Sequence, residues 1–150
     1  MKPIYFIRFT ALLLLLSNLF LTSTVYAADV SAKSSANKIN VVIHVSNNIK
    51  SNYQAVLNYT YSLREHYGDK VNINIVANGP GIGFVNSQNK YVDEIKGLLE
   101  EGVKISACNT TVRIMRKFRE LPIIKGVDFV PTGVVEVIEL QRKGYLYLNP

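Results

Sequence analysis

Val103-Lys104-Ile105-Ser106-Ala107-Cys108-Asn109-Thr110-Thr111-Val112 decides how this chain is read. The first half alternates apolar and polar residues in the manner of a half-buried strand, and the second opens on Asn and Thr, side chains that cap helices. A strand therefore runs straight into a helix, the joint of a β-α unit. At that joint stands Cys108, the only cysteine among 150 residues.

The same alternation repeats on both sides of it. Ile39 to Val45 reads as a strand and Tyr53 to Tyr67 as a helix; Val71 to Ala77 and Tyr91 to Glu101 repeat the pair. After the central joint, whose helix extends to Phe118, come Val127 to Val130, the helix Val134 to Lys143, and a last strand, Tyr145 to Leu148. Repeated β-α alternation predicts an α/β fold, a mainly parallel sheet with helices on both sides and right-handed crossovers. Val41-Val42-Ile43 reads as buried on both faces, whereas Val71 to Val76, with Asn72 and Asn74, reads as half-buried and nearer an edge. Gly68, Gly102 and Gly144 follow helical patterns where a left-handed residue ends a helix.

The first residues read differently. Lys2 and Arg8 precede an apolar run from Ala11 to Leu21, and Val25-Tyr26-Ala27 has the small-residue spacing of a signal peptidase site. Residues 1–27 are expected to be a signal peptide, 28–38 a flexible lead-in rich in Ser, Ala, Asn and Lys, and 39–150 a single domain. The apolar run falls short of the roughly 20 residues that span a bilayer, so no stable membrane anchor is expected. The mature protein is placed in the periplasm or outside the cell.

Composition narrows the chemistry. Seventeen Lys and Arg against 11 Asp and Glu give a formal charge of +6, but the basic residues are not interleaved with aromatics, which argues against nucleic acid as a partner. His44, His66 and the carboxylates show no metal-ligand spacing and the cysteine has no second thiol, so neither a metal nor another cofactor is expected. Glu136 and Glu139 stand three apart on a surface helix, and no Gly-x-Ser-x-Gly supports a hydrolase.

What remains is the sulfur. A thiol at the carboxyl end of a strand faces the crevice where open α/β sheets bind ligands, and the helix start beside it favours a thiolate. A single cysteine cannot close an internal disulfide in an oxidising compartment, so Cys108 is buried, bonded to another molecule, or kept for chemistry. Candidate neighbours are Asn109, Thr110 and Thr111 as donors, His44 at the end of the first strand, and the loop Asn78-Gly79-Pro80-Gly81-Ile82-Gly83 as a pocket wall. Each has a plainer reading. The loop serves as a structural turn, His44 as a hydrogen-bonded structural histidine, Arg113, Arg116 and Lys117 as a solvated basic face, and Cys108 itself as a small packed hydrophobe.

Taken together, Val42-Ile43-His44-Val45-Ser46, Ala55-Val56-Leu57-Asn58, Val76-Ala77-Asn78-Gly79-Pro80-Gly81, Gly102 to Thr111, Val130-Pro131-Thr132-Gly133-Val134-Val135-Glu136 and Leu140 to Pro150 resemble the DsrE/DsrF-like family of sulfur-relay proteins. The resemblance spans Ile39 to Pro150. It implies a three-layer α/β/α domain with a five-stranded parallel sheet, assembled as a homo-oligomer, a trimer or hexamer. It also implies a persulfide carrier or sulfurtransferase that works between a sulfur donor and an acceptor protein, with Cys108 as nucleophile. Asn78, Gly79, Gly81, Asn109, Thr110 and His44 would then line its pocket. The alternative is a non-catalytic binding or assembly module of the same fold with a buried structural cysteine.

Overall fold

The structure, a computed structural model, describes residues 38–150; the expected signal peptide, and all of the lead-in except Lys38, lie outside the described residues. The chain order is β1 (Ile39–Val45), α1 (Lys50–Tyr67), β2 (Val71–Ala77), α2 (Val92–Glu100), β3 (Lys104–Cys108), α3 (Asn109–Met115), β4 (Asp128–Val130), α4 (Gly133–Arg142) and β5 (Leu146–Leu148). A 3-10 segment, Gly79–Val85, follows β2. The five strands of the described residues are all parallel, in the order β4-β3-β2-β1-β5.

The strand pleat sorts the residues between two faces. Val41, Ile43 and Val45 of β1, Ile73 and Ile75 of β2, and Ile105 and Ala107 of β3 enter one large buried cluster with Val56 and Leu57 of α1, Ile95 and Leu98 of α2 and Val112 of α3. On the other face Val42 and Val76 meet only Val137 and Leu140 of α4, with Tyr145 packed beside them. Among the described residues three helices thus cover one face and a single helix the other, which gives the three layers α/β/α. The thinner layer is the weaker: Leu140→Ala is expected to cost about 2 kcal/mol, the low end for such truncations, because so small a cluster can close over the gap. A urea midpoint reads this directly.

One expectation is overturned. The strand read as nearer an edge, β2, is the central strand, hydrogen-bonded to β1 and β3. Its polar alternation comes from incomplete cover on the α4 side: Asn72 is exposed and donates to Asn40 of β1 at 2.8 Å, while Asn74 is only 8 % exposed. A strand can therefore be central and still carry asparagine where the layer above it ends.

Helix borders shift for local reasons. Helix α1 begins three residues before its apolar period, because Lys50 to Asn52 form a polar first turn that no hydrophobic pattern marks, and the Asn47 carboxamide turns the chain into it by accepting from Ile49 N–H at 3.1 Å. Helix α3 ends at Met115, short of the expected Phe118, where irregular turns carry the chain round to Leu121 and the Arg116 guanidinium bonds the Leu121 carbonyl. Gly68, Gly102 and Gly144 all take positive φ after helices.

Candidate functional site

Three even-numbered positions at the carboxyl ends of neighbouring strands converge on the α4 side of the sheet. His44 lies near the end of β1, Asn78 directly follows β2, and Cys108 closes β3. Register places Asn78 level with Cys108, since Ala77 pairs with Ala107, and His44, which pairs with Val76, one pleat lower on the same face. Above them begins α4. A Cβ built on its first residue, Gly133, would come within 2.8 Å of Asn78 Cβ and 3.1 Å of Cys108 Cβ, so only glycine lets the helix start approach this closely.

The cysteine stands between two helix starts. The Thr111 hydroxyl and the main-chain N–H groups of Gly133 at the head of α4, and of Thr111 and Thr110 in the first turn of α3, favour the thiolate by hydrogen bonding. Burial raises the thiol's pKa, yet these hydrogen bonds outweigh it and hold Cys108 below the ordinary 9.0. The Thr111 hydroxyl is aimed by the loop opposite: its oxygen accepts from Gly79 N–H at 3.0 Å, which leaves its proton for the sulfur. Thr110 contributes less, because its N–H is shared with the Pro131 carbonyl at 3.3 Å and its hydroxyl donates to that same carbonyl at 2.9 Å. The side chain of Cys108 is 4 % exposed, a recessed sulfur with polar groups around it.

His44 takes part indirectly. Its Nε2 lies 2.9 Å from Asn78 Oδ1 and its Nδ1 3.0 Å from the Tyr147 hydroxyl, which also accepts from Asn149 Nδ2 at 3.1 Å. The amide oxygen can only accept, so Nε2 donates to it, while Nδ1 is held by the Tyr147 hydroxyl. The doubly bonded imidazole thus fixes Asn78, whose Cβ packs against Gly133 beside that of Cys108.

The other sequence candidates separate. Gly79 reaches the sulfur through Thr111, whereas Gly81 packs against the Val45 carbonyl of β1 and Asn109 is exposed. Arg113, Arg116 and Lys117 are exposed. Gly133 and Tyr147 were not singled out in the sequence. For Gly133 the signal was present, since Val130-Pro131-Thr132-Gly133 repeats the strand-to-helix joint of Cys108; for Tyr147 only the pairing of β5 with β1 reveals it. No group of three His, Cys, Asp or Glu able to hold a metal occurs among the described residues, and none of their helices is long and apolar enough to cross a membrane.

A doubly layered parallel sheet with one cysteine held between two helix starts at its carboxyl rim defines the class of protein. The sequence profile of the DsrE/DsrF-like family matches residues 23–150, and the chain belongs to that family. No curated protein matches it significantly. Among solved structures it is similar to a protein of unknown function, MTH1491, from Methanobacterium thermoautotrophicum, at 25% identity and a TM-score of 0.69, covering 75% of this chain and 100% of the other. The ychN protein of E. coli shares the fold at 18% identity and a TM-score of 0.54, covering 76% and 99%.

Proposed function

We propose that this protein is an exported sulfur carrier in which Cys108 accepts a sulfur atom as a persulfide and passes it to a partner. The carrying observation is the set of donors converging on one sulfur from two helix starts and a hydroxyl, in a family whose named members belong to sulfur relay. The Cys108 thiolate attacks the outer sulfur of a donor persulfide; the donor's S–S bond breaks, a new S–S bond forms on Cys108, and the donor leaves as a thiolate. One negative charge is present throughout, passing from Cys108 to the donor's leaving sulfur while the outer sulfur keeps its proton, and no oxidant is consumed. An acceptor thiolate reverses the step on its own sulfur. Export follows from the basic, apolar and small-residue order of residues 2–27, and a homo-oligomer is favoured by exposed Val134, Val135 and Ile138 on α4, which a second copy would cover.

The purified protein is to be incubated with polysulfide and its intact mass recorded. The carrier gains one sulfur atom, the gain disappears with a reducing thiol, and Cys108→Ser gains nothing. The second reading, an assembly module with a structural cysteine, is favoured by the 4 % exposure of Cys108. It is the outcome if no sulfur adds and the folded protein resists alkylation.

A further inference from the structure

The carboxyl rim holds a second concavity, on the α1 side of the sheet. A cavity of about 420 Å³ opens between the start of α1, the Gly79–Val85 segment and the loop entering α2, with Lys50, Tyr53, Gly83, Asn89 and Lys90 among its lining. Cys108 is not part of it, and Tyr53 belongs to the apolar cluster on the face away from α4. We propose that this cavity binds a small molecule through an oxyanion group, carboxylate or phosphate, that accepts a hydrogen bond from the Tyr53 hydroxyl and pairs with Lys50 and Lys90.

Tyr53 carries the argument. Its side chain is 6 % exposed, and its hydroxyl is the one buried side-chain polar atom without a hydrogen-bond partner among the described residues. An orphaned buried hydroxyl is costly, and such a group in a folded protein calls for a partner from outside the chain. The missing acceptor has a way in. Gly83 forms part of the cavity wall, and a Cβ there would lie 2.7 Å from the Tyr53 oxygen, so at that point no side chain separates hydroxyl and cavity. The wall is held in place, because Asn89 Nδ2 donates to the carbonyls of Gly83 at 3.2 Å and Phe84 at 3.0 Å.

Charge selects the partner's sign. The lining contains no carboxylate, and neither Lys50 nor Lys90 joins an ion pair among the described residues. Lys90 is steadied over the Tyr91 ring at 4.4 Å. Helix α1, of 18 residues, starts here with no side-chain cap, so its positive end adds to the two ammonium groups. Burial raises the Tyr53 pKa, against a smaller lowering by the Arg119 guanidinium, and the phenol stays a donor at neutral pH. Buried donor, free cations and uncapped amides all ask for oxygen acceptors with negative charge.

The test is a titration of the isotope-labelled purified protein with inorganic phosphate and, separately, succinate, at constant ionic strength. Saturable amide shifts confined to Lys50–Tyr53, Gly83 and Lys90–Tyr91 are expected, and the probe that saturates first tells phosphate from carboxylate chemistry. Tyr53→Phe should weaken that binding about tenfold without lowering the melting temperature of the unliganded protein. Lys50→Gln combined with Lys90→Gln should abolish saturation, and Cys108→Ser should bind as wild type. Shifts that scatter or fail to saturate with both probes overturn the proposal. So does a lower melting temperature of unliganded Tyr53→Phe, which would give the hydroxyl a partner within the chain.

Discussion

Gly81→Ala is expected to unfold this protein. A Cβ at Gly81 would lie 2.1 Å from the Val45 carbonyl oxygen, 2.5 Å from its carbon and 2.8 Å from Ser46 N, all backbone atoms at the end of β1. No rotamer change relieves such a contact. The neighbouring hydrogen bonds forbid retreat as well, since Asn78 N–H donates to Val45 O at 3.0 Å and Gly81 N–H to Asn78 O at 2.9 Å, clamping the 3-10 segment onto the strand. Overpacking against fixed backbone belongs to the exceptional substitutions, above about 4 kcal/mol. That is most of the stability of a domain at the low end of the ordinary range, about 5–15 kcal/mol. The comparison is Gly97→Ala in α2, where a Cβ meets nothing within 4 Å and the better helix former should add about 0.5–1 kcal/mol. Denaturant midpoints of the two variants should therefore move in opposite directions. A Gly81→Ala protein within about 1 kcal/mol of wild type would mean that the segment can lift off β1, and that the rim carrying Asn78 and Gly79 is not rigid.

The fold was legible because period and punctuation agreed at every joint. Short β-branched runs, longer helical patterns and glycines at positive φ after α1, α2 and α4 leave a parallel α/β sheet as the consistent answer. Strand order was not legible in the residues themselves. Asn72 and Asn74 look like edge residues when cover is assumed to be complete, and only the single helix on that face explains them at the centre of the sheet. The same thin layer decides the site: Gly133 meets Cys108 because α4 crosses back over the carboxyl ends of β2 and β3, a long-range contact that no local pattern encodes. Cys108 and Thr111 were readable as strand end and helix start. The line from Tyr147 through His44 to Asn78 was not, since it depends on β5 returning to pair with β1.

Thr111→Val should strip the thiolate of its best donor while leaving the cysteine in place. Among the groups that lower the Cys108 pKa, the Thr111 hydroxyl contributes most, ahead of the amides of Gly133, Thr111 and Thr110, and burial opposes them all. Valine keeps the shape and loses the proton, so the alkylation rate with iodoacetamide at neutral pH should fall about tenfold, the worth of one charge-assisted hydrogen bond. The pH at which the rate reaches half its maximum should rise toward 9.0. Thr111→Ser, which keeps the hydroxyl and its bond from Gly79 N–H, should restore both. Stability should follow the same sign. A thiol whose folded pKa lies below its unfolded value contributes stability that is complete above the unfolded pKa and is lost as pH falls through the folded one. Wild type should therefore gain stability over Thr111→Val as pH rises through that window toward 9.0, and the two should run parallel below it. A wild-type alkylation profile with its midpoint at or above 9.0, unmoved by Thr111→Val, would show that burial outweighs the donors, and that the rim holds a neutral thiol ill suited to accept sulfur.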